Sequence, residues 1–312
     1  NGNIVDVSPI LTITVNALPT ADFNCANTPG SGTEIQFTAI PGGTAPFTYL
    51  WDFGDGQTSN QANPVHDFYA TGCSTQGFNT KLTVTDANGC SKTITKAVTV
   101  QQRPDVAVAD VDIFNPFSNC HNSPTAANPN YTLTIRNTSA NAGCTGNYTV
   151  DWGDGNVQTG INAASFPLSH TYTQLGAFNL KVTAAGSNGT ESSKVYVVAN
   201  QTNPAGGLGT LGATTGLCAP ASVPFVISNW QNNSPGTIYI LQYGDGTSET
   251  FQHPLNNTND DQTIYHTYTK SSCPSSSFTA TLIVKNACDE TPYTAGNIQV
   301  RIKPSANFTV PA

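Results

Sequence analysis

A six-residue motif that occurs three times constrains the fold of this chain more than any other feature. Each copy places large apolar residues at alternate positions and then continues with Gly-Asp-Gly. Side chains two apart lie on one face of a β-strand, so the apolar positions require a covering sheet. Gly tolerates positive φ and Asp accepts backbone N–H bonds, which makes Gly-Asp-Gly a turn. The copies are Trp51-Asp52-Phe53-Gly54-Asp55-Gly56, Val150-Asp151-Trp152-Gly153-Asp154-Gly155 and Leu241-Gln242-Tyr243-Gly244-Asp245-Gly246.

A second landmark and a further strand follow each motif in the same order. The landmark is a histidine followed closely by an aromatic residue, and the strand has apolar residues at alternate positions and begins with Phe. Three ordered repeats with many turn residues predict three tandem immunoglobulin-like β-sandwiches, each with about seven short strands. The landmarks are His66-Asp67-Phe68-Tyr69, His170-Thr171-Tyr172 and His266-Thr267-Tyr268, and the strands begin at Phe78, Phe178 and Phe278.

These motifs together resemble the PKD (polycystic kidney disease) domain family, whose members are immunoglobulin-like sandwiches. The resemblance covers nearly the whole chain and is strongest in the first copy. In the third copy Gln242 replaces the first Asp and Leu241 replaces the Trp. Long arrays of such units are typical of cell-surface proteins of the Bacteroidetes, including gliding-motility adhesins that use type IX secretion. The resemblance therefore implies a non-catalytic segment of an elongated adhesive filament.

Recurring extended segments with proline predict the domain boundaries. We expect residues 1–18 to be the last strand of a preceding repeat, and residues 305–312 to be the first strand of a following one. Prolines near each joint restrict the backbone, which predicts a semi-rigid array. The three complete domains, called repeats 1, 2 and 3 below, are predicted at residues 19–103, 104–203 and 204–304, with joint prolines at Pro19, Pro104, Pro204 and Pro304.

Composition favours an extracellular protein and argues against several classes of partner. Only 10% of residues are charged, the net charge is −8 and the 11 basic residues are scattered, so neither nucleic acid nor an anionic membrane surface is an expected partner. No apolar run approaches the roughly 20 residues of a membrane-spanning helix. Eight cysteines and the absence of Met fit an oxidising compartment. The expected partners are neighbouring repeats, surface polysaccharide and other cell-surface proteins.

The cysteines predict disulfides within repeats. The loops after the first strand and before the sixth strand of such a sandwich lie at one pole, which favours Cys25–Cys73 and Cys218–Cys273. Cys120–Cys144 is then the pairing available inside repeat 2. Cys90 and Cys288 stay unassigned, as free thiols or as bridges to a neighbouring domain, and a competing scheme pairs Cys25–Cys90 and Cys218–Cys288. Eight cysteines allow 105 connectivities, so the sequence does not decide.

The sequence favours a non-enzyme. Asp52 and Asp55 are spaced like a carboxylate pair for acid–base catalysis, but they belong to a repeated turn and Gln242 replaces the first of them in repeat 3. The histidines His66, His170 and His266 recur once per repeat at one turn, which favours a structural hydrogen-bonding role. No metalloprotease or nucleophile-elbow motif occurs.

Two ligand hypotheses are retained. No cofactor is expected, but calcium is a candidate because arrays of secreted sandwiches use acidic oxygens at their joints. Its candidate ligands are Asp105, Asp110 and Asp112, with the loop Asn259-Asp260-Asp261 as a second location. Trp230 lies among amide residues at a strand end and is the aromatic residue that we expect to contact a carbohydrate.

Three functions from different classes compete. The first is a stalk or adhesin of a long cell-surface repeat protein. The second is a set of carbohydrate- or protein-binding accessory domains of a secreted hydrolase, and the third is an enzyme. The flanking partial repeats favour the first function, because accessory modules are usually few.

Overall fold

A computed structural model describes residues 15–28, 32–255, 262–273, 275 and 277–302. The predicted strands within residues 1–18 and 305–312 lie largely outside the described residues, as does the candidate loop Asn259–Asp261. The described chain is all-β, which confirms the predicted fold class. Its helical segments are three single turns of 3₁₀ helix at Ala142–Cys144, Ala163–Ser165 and Trp230–Asn232.

Repeat 1 is a two-sheet antiparallel sandwich. One sheet has the strand order β1-β2-β5 and the other β4-β3-β6-β7. The motif strand β3 pairs with β6, so that Trp51 lies opposite Leu82. The strands are β1 (Thr20–Asn27), β2 (Glu34–Gly42), β3 (Thr48–Asp52), β4 (Thr58–Ser59), β5 (Val65–Asp67), β6 (Thr75–Thr85) and β7 (Ser91–Gln101).

Repeat 2 has the same arrangement with an additional edge strand. Its sheets have the orders β13-β10-β8 and β12-β11-β14-β15-β9, and β9 runs parallel to β15. The strands are β8 (Val108–Asp110), β9 (Ser118–Asn119), β10 (Tyr131–Asn137), β11 (Thr145–Asp151), β12 (Val157–Ile161), β13 (Leu168–Tyr172), β14 (Gly176–Gly186) and β15 (Glu191–Asn200).

Repeat 3 also has a parallel edge pair, here β17 with β24. Its two larger sheets have the orders β16-β18-β21 and β20-β19-β22-β23. The strands are β16 (Leu208–Thr210), β17 (Leu217–Ala219), β18 (Ala221–Ile227), β19 (Ile238–Gln242), β20 (Ser248–Gln252), β21 (Gln262–Tyr268), β22 (Phe278–Lys285), β23 (Glu290–Ile298) and β24 (Val300–Ile302).

The apolar residues at alternate positions form the cores. In repeat 1, Trp51 and Phe53 of the motif are buried against Phe23, Phe37 and Phe68. Neighbouring ring centroids in this group lie 5.1 to 6.3 Å apart in mostly tilted and edge-on arrangements, within the range that aromatic pairs prefer. Burying each such side chain contributes about 1.5–3 kcal/mol.

The contacts within the chain divide it into two compact units. The first consists of the residues up to Val106 together with Ser139–Tyr148 and Ala184–Ser192, and the second of Ala107–Thr138, Thr149–Thr183 and the residues from Ser193 onward. One pole of repeat 2, which contains Cys144 and the hairpin between β14 and β15, thus belongs to the same compact unit as repeat 1.

Candidate functional site

The aspartate of each Gly-Asp-Gly turn makes the same pair of hydrogen bonds. One oxygen accepts the backbone N–H of the residue two positions on, at 3.0 to 3.1 Å. The other lies 2.7 to 2.8 Å from the Nε2 atom of the landmark histidine. This second bond joins the motif turn to a strand of the opposite sheet. The three pairs are Asp55–His66, Asp154–His170 and Asp245–His266.

Each landmark histidine is also held between aromatic rings. In repeat 1, His66 stacks on Phe53 with centroids 3.9 Å apart and meets Phe68 edge-on at 4.6 Å. The corresponding stacking distances are 4.8 Å in repeat 2 and 3.7 Å in repeat 3. An aspartate and two aromatic rings contact each histidine. These contacts connect the motif turn of one sheet to the landmark strand of the other.

The hydrogen bonds lower the pKa of two of the turn aspartates. Burial alone raises the pKa of Asp154 and Asp245, since it disfavours the charged form. In Asp154 the bonds from His170 and Asn156 outweigh burial, and in Asp245 those from Thr247 and His266 do so. Both carboxyl groups therefore have pKa values below the ordinary value and are ionised in the folded protein at neutral pH.

The first glycine of each turn packs against the backbone of the strand beside the motif strand in the same sheet, which is β6, β14 or β22. At Gly153 φ is +79°, and a Cβ atom there would come within 2.7 Å of the Asn179 backbone. Gly54 and Gly244 have the same conformation and the same kind of contact. The last glycine, Gly155, has open space beside it and φ of +94°. The first glycine is therefore required by both conformation and packing.

The aromatic residue of the landmark has a second role in repeats 2 and 3 that the sequence did not reveal. Tyr172 and Tyr268 each donate their hydroxyl proton to the carbonyl of the aromatic residue before the turn, at 2.9 Å. Phe68 occupies this position in repeat 1 and has no hydroxyl, while the neighbouring Tyr69 is 77% exposed. The Thr80 hydroxyl donates to the Phe53 carbonyl instead, at 3.1 Å.

The carboxylate pair of repeat 1 is committed to the turn. Asp52 accepts the Gly54 N–H at 3.0 Å and forms a 3.3 Å ion pair with Lys81. Asp55 contacts His66 and the Gln57 N–H. These contacts of both carboxylates are with the protein's own backbone and side chains.

The calcium candidates do not converge on one site. Asp105 accepts the Ala140 N–H at 2.6 Å, and Asp110 accepts N–H bonds from Asp112 and Phe117 at 3.0 and 2.7 Å. Asp112 in turn accepts from two further loop amides. Among the described residues, no group of three His, Cys, Asp or Glu side chains is placed to hold a metal ion.

The expectation that Trp230 contacts a ligand is contradicted by its burial. Its side chain is only 5% exposed and belongs to the core of repeat 3. The ring packs 5.9 Å from that of His253, and its carbonyl accepts a hydrogen bond from Tyr239. The amide-rich segment forms a 3₁₀ turn that folds the indole inward, so it offers no aromatic platform to a carbohydrate.

The predicted disulfides within repeats are wrong. The structure instead has Cys73–Cys144 and Cys120–Cys288, with Cα atoms 5.3 and 5.7 Å apart. Each bridge joins one repeat to the next, because these cysteines lie at the poles where successive repeats meet. The sequence had left open that Cys288 forms a bridge to a neighbouring repeat, and the structure shows such a bridge, to Cys120 of repeat 2. The predicted pairs Cys25–Cys73, Cys120–Cys144 and Cys218–Cys273 and the competing pairs Cys25–Cys90 and Cys218–Cys288 are not formed.

Polar contacts accompany the bridge between repeats 1 and 2. The hairpin between β14 and β15 reaches the end of β7, where the Thr190 hydroxyl and the Asn188 amide both donate to the Gln102 carbonyl, at 2.9 and 2.8 Å. A carbonyl that accepts two hydrogen bonds has both of its lone pairs satisfied. The joint is therefore held by hydrogen bonds as well as by a covalent bond.

The joint between repeats 2 and 3 uses the equivalent hairpin, between β22 and β23. Asn286 donates to the Thr202 carbonyl at 2.9 Å, and the Gln201 side chain accepts the Ala287 N–H at 3.0 Å. The Gln201 amide also donates to the Pro235 carbonyl at 2.7 Å. Gln201 is completely buried, so these contacts replace its hydration.

A match to a family model supports the resemblance for repeat 1. Residues 16–101 match the family model described as PKD domain. Collagenase ColA of Clostridium perfringens is 39% identical over 22% of this chain, and Collagenase ColA of Bacillus cereus is 40% identical over 24%. These matches span only 6% and 8% of the two collagenases. The PKD1 domain of Vibrio anguillarum Epp is 26% identical over 28% of this chain and 99% of its own length, with a TM-score of 0.25.

No helix among the described residues has the length and apolar character needed to cross a membrane.

Proposed function

We propose that this chain is a non-catalytic segment of a secreted cell-surface repeat protein and acts as a load-bearing stalk or adhesin. The observation that carries the proposal is that a disulfide joins each pair of successive repeats. A module that only binds a ligand does not need a covalent bond at every joint. A stalk does, because tension along the chain acts first on the joints between domains.

The two bridges overlap along the sequence and so shorten the covalent path between the ends. The shortest path runs from residue 1 to Cys73, crosses to Cys144, returns to Cys120, crosses to Cys288 and continues to residue 312. Roughly 120 residues lie on this path, which corresponds to about 400 Å at full extension. The reduced chain of 312 residues would extend to about 1,100 Å.

Single-molecule stretching tests the proposal. With the bridges intact, we expect complete extension near 400 Å, and after reduction we expect it near 1,100 Å, because all residues then carry the load. Cys25→Ser is the matched control, since Cys25 is exposed and unpaired, and this variant should extend like the parent. Equal extension before and after reduction would refute the load-bearing role.

The similarity to collagenases favours a second candidate, an accessory domain set of a secreted hydrolase. The test is retention of the chain on insoluble fibrillar collagen and on insoluble polysaccharides over a range of concentrations. A stalk that only projects a distal binding region should show no saturable retention on these materials. Saturable binding to one of them would favour the accessory role.

A further inference from the structure

The outer face of one sheet in repeat 3 exposes a row of apolar side chains. Alternate residues of this sheet, β16-β18-β21, point into the core, and the others point outward. On the outer face, Tyr265 of β21 lies directly opposite Pro224 of β18. The N–H of Leu211, which follows β16, donates to the Pro224 carbonyl at 2.9 Å and so continues the row. Tyr265 is 71% exposed and Leu211 is 55% exposed. These three residues are called the apolar row below.

Hydroxyl side chains border the apolar row. Ser222 and Thr267 lie opposite each other, two residues along their strands from the row. In repeat 2 the matching residues, Thr132 and Thr171, bond each other through their hydroxyls at 2.8 Å. Ser222 and Thr267 are exposed, and neither hydroxyl has a hydrogen-bond partner among the described residues. Both hydroxyls can therefore donate to a ligand and accept from it.

The outer face of repeat 3 differs in charge from the same face of the other repeats. In repeat 1, Glu34 lies opposite Asp67, and in repeat 2 the exposed Arg136 lies on this face. The outward residues of β18 and β21, as far as the structure describes them, are uncharged, so a charged partner would find no counter-charge there. This favours a neutral ligand. Those residues are Ser222, Pro224, Val226, Thr263, Tyr265 and Thr267.

The exposed ring is particular to repeat 3. Tyr265 directly precedes the landmark histidine, and the residues at this position in repeats 1 and 2 are Val65 and Ser169. Ser169 bonds to Thr134 on the neighbouring strand at 2.8 Å, so the hydroxyls of that face satisfy each other. Repeats 1 and 2 form the same turn and a similar core without an aromatic ring at this position. The fold therefore does not require Tyr265.

The apolar row has the dimensions of a short carbohydrate. Adjacent strands lie about 4.8 Å apart, so a row across three strands is about 10 Å long, close to the length of a disaccharide. A sugar ring has C–H groups on its faces and hydroxyl groups at its rim. Its face packs on aromatic and aliphatic side chains, and its rim bonds to side-chain hydroxyls. An apolar row bordered by unpaired hydroxyls fits both parts of such a ring.

We propose that the outer face of repeat 3 binds a neutral polysaccharide. One sugar ring stacks on Tyr265, and the next packs on Pro224 and Leu211. The hydroxyl groups of the sugar bond to Ser222 and Thr267. A neutral sugar satisfies these hydroxyls, whereas an apolar protein segment would cover them without bonding them. The proposal rests on the adhesive role proposed above, since it supplies the surface that an adhesin needs, and it does not require the chain to bear load.

Calorimetric titration of the whole chain tests the site. The probes are cellohexaose, laminarihexaose and mannohexaose, which are neutral, and a galacturonic acid hexamer, which is anionic. At least one neutral probe should bind saturably and more tightly than the anionic one. Tyr265→Ala should weaken that binding about tenfold, because the stacked ring is lost, while Tyr265→Phe should stay within about threefold of the parent.

Two further variants separate the parts of the site. Thr267→Val keeps the shape of the side chain but removes its hydroxyl, and it should weaken the binding about fivefold. Tyr69→Ala is the matched control, because it removes a 77% exposed tyrosine from repeat 1, and it should bind like the parent. Since Tyr265 is largely exposed, its replacement should leave thermal unfolding unchanged, which scanning calorimetry checks.

Three results would overturn the proposal: no neutral probe binds, Tyr265→Ala binds as the parent does, or the galacturonic acid hexamer binds at least as tightly as every neutral probe. The first result would leave a protein as the partner of this face. None of these substitutions removes a disulfide, so the stretching experiment decides the load-bearing role separately.

Discussion

At the scale of single residues, the aspartate–histidine pair of each turn shows how an acidic motif can be structural. Asp245 is ionised, accepts the Thr247 N–H at 3.0 Å and lies 2.8 Å from His266. The histidine in turn stacks on Tyr243 at 3.7 Å. A carboxylate with these partners stabilises the fold because its charge is stabilised only when the turn has formed.

Asp245 should make stability depend on pH in the acid range. Its folded pKa lies below the unfolded value near 4, so its stabilising effect is complete above that value and is lost as pH falls through the folded pKa. We expect the free energy of unfolding of the parent to fall more steeply below about pH 4 than that of Asp245→Asn. Urea unfolding at a series of pH values measures both. Parallel profiles for the two proteins would contradict this role.

At the scale of strands, the sandwich requires a donor for the carbonyl that precedes each turn. Repeats 2 and 3 take it from the tyrosine of the landmark, on the opposite sheet. Repeat 1 takes it from Thr80 on β6, the strand beside the motif strand. The same need is thus met from two different elements, which explains how a phenylalanine can stand at position 68.

Removing the Thr80 hydroxyl, which donates to the Phe53 carbonyl, should destabilise repeat 1. Thr80 is completely buried, and Thr80→Val keeps its shape but removes the hydroxyl, so we expect a loss of about 1–3 kcal/mol in the free energy of unfolding. Thr80→Ser retains the hydroxyl and is the matched control, with a smaller loss. Urea denaturation compares the three proteins. If Val and Ser variants were equally destabilised, the hydrogen bond would have no measurable role.

At the scale of the whole molecule, the disulfides act between repeats. Cys73–Cys144 closes a loop with a sequence separation of 71, and Cys120–Cys288 one of 168. Bridges across long loops restrict the unfolded chain most strongly on the chain-entropy model. They also keep each joint closed when its hydrogen bonds open.

Loss of the first bridge should destabilise the unit that contains repeat 1. The double variant Cys73→Ser/Cys144→Ser leaves no new thiol, and we expect it to lower the free energy of unfolding by about 4 kcal/mol. Differential scanning calorimetry without reductant should show a lower melting temperature for the first transition. Cys25→Ser, which removes an exposed unpaired thiol, should melt like the parent. Unchanged melting of the double variant would show that the bridge does not stabilise this unit.

Local patterns were enough to predict the fold. Alternation along β3 and β6 identifies the buried face, because the strand period of two fixes which side chains meet the second sheet. The Gly-Asp-Gly turns are equally local, since φ and the aspartate bonds involve residues within two positions. Two features could not be predicted: the burial of Trp230, and the use of the Thr80 hydroxyl as the donor that a tyrosine provides in the other repeats. Both depend on packing between elements far apart in sequence.

By itself, the sequence determined the β-sandwich fold, the buried face of each motif strand and the position of each Gly-Asp-Gly turn, because these follow from periodicity and from the conformational preferences of Gly and Asp. The tertiary structure alone decided the cysteine pairing. A disulfide needs Cα atoms about 5.5–6 Å apart, and that distance depends on which poles meet. Cys73 and Cys144 are brought together because the hairpin pole of repeat 2 packs against the end of repeat 1, and no pattern within either repeat records that contact.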